Sequence, residues 1–165
     1  MVSRDVVTDS YACLGNYGCI LANRISYAFG LRGASKSIEA ACSSSLVAVH
    51  DAKCALERGE SDYGIVAGVS LNLHPWKYVS FSKSRILSPE GRCKTFDKDA
   101  NGYVPGDGVG ILLLQRLDDA VKDGNIIYGV VRGSAVNHTG QSLSITAPTI
   151  DAQSSVILSA YKEAA

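Results

Sequence analysis

The chain lacks a charge imbalance. Sixteen Lys and Arg stand against sixteen Asp and Glu in 165 residues, so it carries no basic surplus for nucleic acid or an anionic membrane. It lacks a run of apolar residues long enough to span a bilayer. The opening Met1-Val2-Ser3-Arg4-Asp5 leads into no apolar signal core, and a cytoplasmic location is the expectation. Paired cysteine spacing is missing too. The five cysteines, Cys13, Cys19, Cys42, Cys54 and Cys93, are odd in number and form no C-x-x-C. That argues against a disulfide framework, and with no histidine at ligand spacing it argues against zinc. Four of them, Cys13, Cys19, Cys54 and Cys93, read as small buried or half-buried hydrophobes.

Two further patterns are absent. Gly102-Tyr103-Val104-Pro105-Gly106-Asp107-Gly108 is glycine-rich, yet it has neither the P-loop lysine nor the spacing of a dinucleotide fingerprint, and it precedes a strand pattern instead of opening a helix. Asp97, Asp99 and Asp107 miss the EF-hand register and its closing glutamate. What the chain has is apolar residue content, 46%, enough for a folded domain.

Periodicity alternates between helix and strand. Helical spacing covers Tyr17 to Phe29, with Gly30 at the position past the end where positive φ is needed. Ser37 to Ala41 reads as a short strand, and Cys42 to Arg58 as a buried helix closed by Gly59. Tyr63 to Ser70 reads as a buried strand whose small residues imply close backbone approach. Leu71 to Asn101 is expected to form loops with short helical turns. Strands are predicted over Val109 to Gln115 and Ile126 to Val136, and helices over Leu117 to Lys122 and from about Asp151 to the end. This order implies an α/β fold with covered sheets. The pattern also looks cut at both ends, because the first helix has no preceding strand and the last has no following one.

The most informative stretch is Ile38-Glu39-Ala40-Ala41-Cys42-Ser43-Ser44-Ser45-Leu46-Val47-Ala48. It places one thiol where an extended segment turns into a helix. The first N–H groups of a helix have no partner within it, and its dipole is positive there, so a thiolate is stabilised. The small serines admit a substrate, and the backbone N–H of Cys42 is a natural oxyanion donor. The same pattern also fits an inert cysteine at a helix start.

The surrounding words resemble the ketosynthase domain of modular polyketide synthases, in the β-ketoacyl synthase family of thiolase-like fold. Five stretches carry the likeness: Asn23-Arg24-Ile25-Ser26-Tyr27; the Cys42 motif with His50; Leu87 to Asp97; Gly102 to Gly108; and Gly133 to Gly140 with Ile145-Thr146-Ala147-Pro148. The Val104-Pro105-Gly106 and Ser144 to Pro148 wordings look more like assembly lines served by free-standing acyltransferases. The resemblance covers essentially the whole of residues 1–165. It implies a partial, layered α-β-α domain, the central part of a ketosynthase.

It further implies that Cys42 is the nucleophile that accepts an acyl chain from the phosphopantetheine of an acyl carrier protein. The chain would then condense with a decarboxylated malonyl-type extender. No cofactor or metal is implied beyond that carried arm. Phe81 falls where the family has an aromatic near the acyl pocket, a position equally suited to plain core packing; Trp76 and Tyr78 read as surface or rim residues. The implied partners are the carrier protein, adjacent synthase domains and a second copy, with Ser37 to Ala41 as an interface strand.

Departures are mild before the cysteine: Gly33-Ala34-Ser35 replaces Gly-Pro-Ser, and Glu39-Ala40-Ala41 replaces Asp-Thr-Ala. The larger one is that the family's two motif histidines are not in the chain and are expected beyond Ala165. His50 reads as packed or hydrogen-bonded, His74 as a loop residue, and His138 as a residue that orders a bend. Three alternatives follow: an acyl-transfer domain without condensation, an inactive fragment, and a fatty-acid synthase ketosynthase. A cysteine hydrolase would need a partner histidine and a water path that nothing here suggests.

Overall fold

The computed structural model describes residues 11–165, the side chain of Cys13 excepted. The expectation for Cys13 and the reading of Met1 to Asp5 lie outside the described residues. The chain divides into two units, one running to Gly64 and resuming at Leu113, the other spanning Ile65–Leu112.

In the first unit, α1 (Ala12–Asn16) and α2 (Cys19–Ala28) lead to an extended stretch, a 3-10 turn over Ala41–Ser43, and α3 (Ser44–Glu57). After the excursion through the second unit come α5 (Leu117–Lys122) and α6 (Ile150–Ala164). The second unit holds α4 (Trp76–Lys83). Strand β1 (Tyr63–Ser70) pairs with β2 (Gly108–Gln115) in a two-stranded sheet. Gly64 lies beside Leu114 and Ser70 Oγ reaches the Gly106 carbonyl, so the partners run antiparallel.

Helix ends follow one rule. At α2, Leu31 N–H donates to Ser26 O and Gly30 N–H to Tyr27 O, with Gly30 at φ 65°. At α3, Glu60 donates to Ala55 and Gly59 to Leu56; at α5, Asn125 donates to Ala120 and Gly124 to Val121. Each is a Schellman closure built on a glycine with positive φ. At α4 the same closure uses Arg85, φ 54°, with Ile86 N–H on Phe81 O. A side chain there adopts a conformation that L-residues avoid. Thr149 caps α6 by accepting from Ala152 N–H.

The predicted helices and the two strands at Tyr63 to Ser70 and Val109 to Gln115 are present. Two predicted strands are not. Neither 37–41 nor 126–136 joins a ladder among the described residues. A strand exists only through its hydrogen-bonded neighbour, and no described segment is placed to pair with them. The 37–41 stretch instead offers the Ser37 hydroxyl to Ala22 N–H. The 126–136 stretch lies against α6, where a Cβ on Gly133 would collide with Ala160 O and Ala164 N. Arg132 donates to the Ala164 carbonyl.

The burial expectations also need correction. Among the described residues, the buried apolar side chains are Leu56, Val66 and Ala120. Helix α3 is not enclosed, since Leu46 is 73% exposed. Strand β1 buries Val66 only. Cys19 and Cys93 are exposed, and Cys54 is half-buried as expected. The physical reason is the same in each case. Apolar faces are written into the elements, but within these residues no second layer covers them. One close packing expectation is met: a Cβ on Gly64 would lie 3.2 Å from Ala52 Cβ, so the small strand residue lets α3 approach the backbone.

In the second unit the glycine-rich bend is held by backbone contacts. Ser88 N–H donates to Tyr103 O and Tyr103 N–H to Ile86 O. Gly102 has φ 141°, and a Cβ there would meet the Leu87 carbonyl carbon and Ser88 N at 2.5 Å. By contrast Gly124 has φ 68° and open space where a Cβ would go. In the intact protein, Gly124→Ala is expected to lower stability by about 1 kcal/mol, the conformational cost alone. Gly102→Ala is expected to cost about 3 kcal/mol, because overpacking adds to it. Denaturant unfolding of the two variants side by side checks the difference; equal losses would remove the steric explanation.

Candidate functional site

The site is built at the start of α3. Ala41, the residue before Cys42, has φ 49°. A non-glycine residue in that region costs roughly 1–2 kcal/mol. This kink turns the extended stretch sharply into the 3-10 turn, with Ser43 N–H on Ala40 O at 3.0 Å. Ser44 spans the kink: its hydroxyl accepts from Ala40 N–H at 2.8 Å and donates to Ala41 O at 2.8 Å. Ser44 N–H also donates to Ala41 O. Cys42 sits on the turn with its side chain exposed. Among the described residues its N–H has no hydrogen-bond partner. The thiol is therefore accessible at a helix start, as the sequence predicts, although an extended coil stands where a strand was expected.

Helix α3 is tied down along its length. In its middle, Asp51 pairs with Lys36 at 3.5 Å; in the segment leading to the elbow, Ser35 is bonded to Ser26 of α2 at 2.9 Å. Midway, Lys53 is 8% exposed. It bonds Glu57 at 2.6 Å and Glu163 of α6 at 3.1 Å. Burial pulls the Lys53 ammonium pKa down, but the two carboxylates outweigh it and hold it above the usual lysine value. Glu163 also accepts from Ser134 N–H, and this bond first, then Lys53, holds its carboxyl below the usual range. At the far end, Arg116 donates to the carbonyls of Leu56 and Ser61 and to Asp62 and Asp119.

The three histidines are each spent locally. His50 Nδ1 meets Ser134 Oγ at 2.8 Å, and its Nε2 lies 3.7 Å from Cys54 Sγ. It stands eight residues past Cys42, roughly 12 Å along a helix axis, too far to serve as its base. His138 Nδ1 accepts from Gly140 N–H, ordering the bend as predicted. His74 Nδ1 accepts from Trp76 N–H. In the second unit, Phe81 is half-buried against Tyr103, centroids 6.3 Å apart and tilted 53°, with Lys77 Nζ 5.9 Å from its ring. Trp76 and Tyr78 are exposed.

The pattern that defines the Beta-ketoacyl synthase, N-terminal domain, matches residues 2–120. The chain belongs to the β-ketoacyl synthase family. It is 49% identical over 157 residues to one component of the phenolphthiocerol/phthiocerol polyketide synthase of Mycobacterium tuberculosis, covering 95% of this chain and 7% of that protein. It is 46% identical over 156 residues to polyketide synthase ThaG of Burkholderia thailandensis, covering 94% of this chain and 3% of that protein. Among solved structures it resembles the ketosynthase from module 6 of the bacillaene synthase of Bacillus subtilis, with TM-score 0.88 and 43% identity. That match covers 95% of this chain and 29% of the other. The oxazolomycin ketosynthase domain of Streptomyces albus matches with TM-score 0.87 and 38% identity, over 90% of this chain and 26% of that one. The fold of this β-ketoacyl synthase segment is thus the thiolase-like one, and the segment spans under a third of the solved chains. No helix among its described residues is long and apolar enough to cross a membrane.

Sequence reading missed the Ser44 bridge and the Lys53–Glu163 tie. The Lys53 and Glu57 spacing of four was a visible signal for half of that tie; Glu163, 110 positions away, gave none. The tie has a pH consequence. A depressed Glu163 carboxyl adds stability that is full above the ordinary value of 4.5 and is lost as pH falls through its lower folded value. In the intact protein, wild type is expected to melt above Glu163→Gln from pH 7 to about pH 5, with the gap closing on further acidification. Melting scans against pH check this, and a gap independent of pH would contradict it.

Proposed function

We propose that this chain carries the acyl-accepting centre of a polyketide β-ketoacyl synthase, with Cys42 as its nucleophile. The observation that supports this most directly is an exposed thiol on a kinked turn at the start of α3, inside a chain 46–49% identical to polyketide synthases. In this reading the Cys42 thiolate attacks the carbonyl carbon of an acyl thioester held on the phosphopantetheine of an acyl carrier protein. A carbon–sulfur bond to Cys42 forms, and the Cys42 N–H stabilises the oxyanion. The bond to the carrier sulfur breaks, and that sulfur takes up the proton Cys42 gave up. Next, a malonyl-type extender loses carbon dioxide, and its carbanion attacks the Cys42 thioester. A carbon–carbon bond forms and Cys42 leaves as thiolate.

Proton handling falls to the family's two motif histidines, since the three histidines here are engaged elsewhere. We extend the proposal to Phe81 as an acyl-pocket residue, to residues 1–165 as the central part of a larger ketosynthase domain, and to a cytoplasmic homodimer beside other synthase domains. No tightly bound cofactor is proposed.

Incubating the intact protein with a simple acyl thioester should add the acyl mass to the Cys42 peptide, and Cys42→Ala should abolish it. Mass spectrometry that finds the acyl group spread evenly over Cys19, Cys42 and Cys93, or missing from Cys42, overturns the assignment. The isolated 165 residues, with Leu46, Ile111 and Leu113 exposed, should aggregate or stay partly unfolded. A sharp cooperative melt of that fragment would contradict the proposed partial domain.

A further inference from the structure

We infer that Ser44 is a positioning residue that aims the Cys42 N–H at the reacting carbonyl oxygen. This rests on the reading of Cys42 as nucleophile and deepens it. Peptide planarity sets the geometry. The carbonyl of Ala41 and the N–H of Cys42 belong to one trans peptide unit, so they point in opposite directions and turn together. Whatever fixes the Ala41 carbonyl fixes the Cys42 N–H.

Ser44 holds that carbonyl twice, through its backbone N–H and its hydroxyl, the latter at 2.8 Å. The same hydroxyl oxygen accepts from Ala40 N–H at 2.8 Å. One side chain therefore ties the 39–40 peptide to the 41–42 peptide, across the residue at φ 49°. Without the hydroxyl, only the Ser44 N–H still holds the Ala41 carbonyl, and relaxation of Ala41 toward the ordinary right-handed region rotates the 41–42 peptide and swings the N–H away. With it, the N–H, which has no hydrogen-bond partner among the described residues, stays presented. An oxyanion donor works only when it is held in place before charge develops. Ser44 is not assigned a contact with the acyl group; it acts through the backbone of Cys42.

The test separates two reactions of the same sulfur. Transfer from an acyl thioester passes through an oxyanion, while alkylation by iodoacetamide displaces iodide and forms none. In the intact protein, Ser44→Ala should slow acylation of Cys42 by a simple acyl thioester about tenfold. Alkylation of Cys42 should change by less than about twofold, because sulfur exposure is unaltered. Ser44→Thr, which keeps the hydroxyl, should restore the wild-type ratio of acylation to alkylation. Alkylation of Cys93 serves as the folding control. If both Cys42 reactions fall together, or the ratio stays at the wild-type value, Ser44 is structural and the inference is overturned, while the nucleophile reading stands. If wild-type Cys42 is not acylated at all, the nucleophile reading fails first. Should Ser44→Ala not fold, Ser44→Thr decides: a preserved ratio supports the inference, and a ratio lowered fivefold or more in a folded protein refutes it.

Discussion

The kink at Ala41 is the constraint on which the rest depends. A residue with a Cβ is held at φ 49° where the extended stretch turns toward α3, and Cys42 next to it is exposed. Glycine would take this conformation freely. Alanine takes it only because its surroundings over-determine it. The Ser44 hydroxyl and the backbone bonds of the turn supply that over-determination. Strain placed beside Cys42 gives the backbone a fixed direction at the turn that leads into α3.

A rigid turn needs a rigid support, and α3 provides one. It is gripped at two levels: Asp51 and Lys53 in its middle and the Leu56 carbonyl at its end. The middle grip is an unusual choice for so slight a core. Burying an ammonium is costly unless its charges and protons are met, and here two carboxylates meet them. An apolar residue at position 53 would slide among neighbours; a lysine between Glu57 and Glu163 specifies one register of α3 against α6. Arg116 does the same for the α3 terminus, joining the Leu56 and Ser61 carbonyls to two carboxylates.

Much of this was legible from residue order. Gly30 and Gly59 announced two helix ends because the Schellman closure asks for a left-handed residue and glycine supplies it most readily, and Gly124 closes α5 in the same way. Arg85 makes the same closure and announced nothing, since the tertiary setting overrides the side chain's preference. The Cys42 motif placed the candidate nucleophile correctly at a helix start. The segments at 37–41 and 126–136 carry strand-like patterns without ladders, because an apolar pattern records which faces ask for cover and not whether a partner is within the same stretch. The exposure of Cys19, Cys93 and most of β2 has the same origin. The Ser44 clamp was hidden in a run of three serines, where composition cannot distinguish a hydroxyl that bridges two peptides from one that faces water.

Glu163 lies in the last turn of α6, and its carboxylate serves both the Lys53 ammonium and the Ser134 amide. Trimming the recombinant gene a few codons short of this glutamate would strip a buried cation of one counter-charge and unpin the strip around Gly133. Any expression boundary drawn through this region must therefore retain the whole of α6, even though Cys42 lies more than a hundred positions upstream.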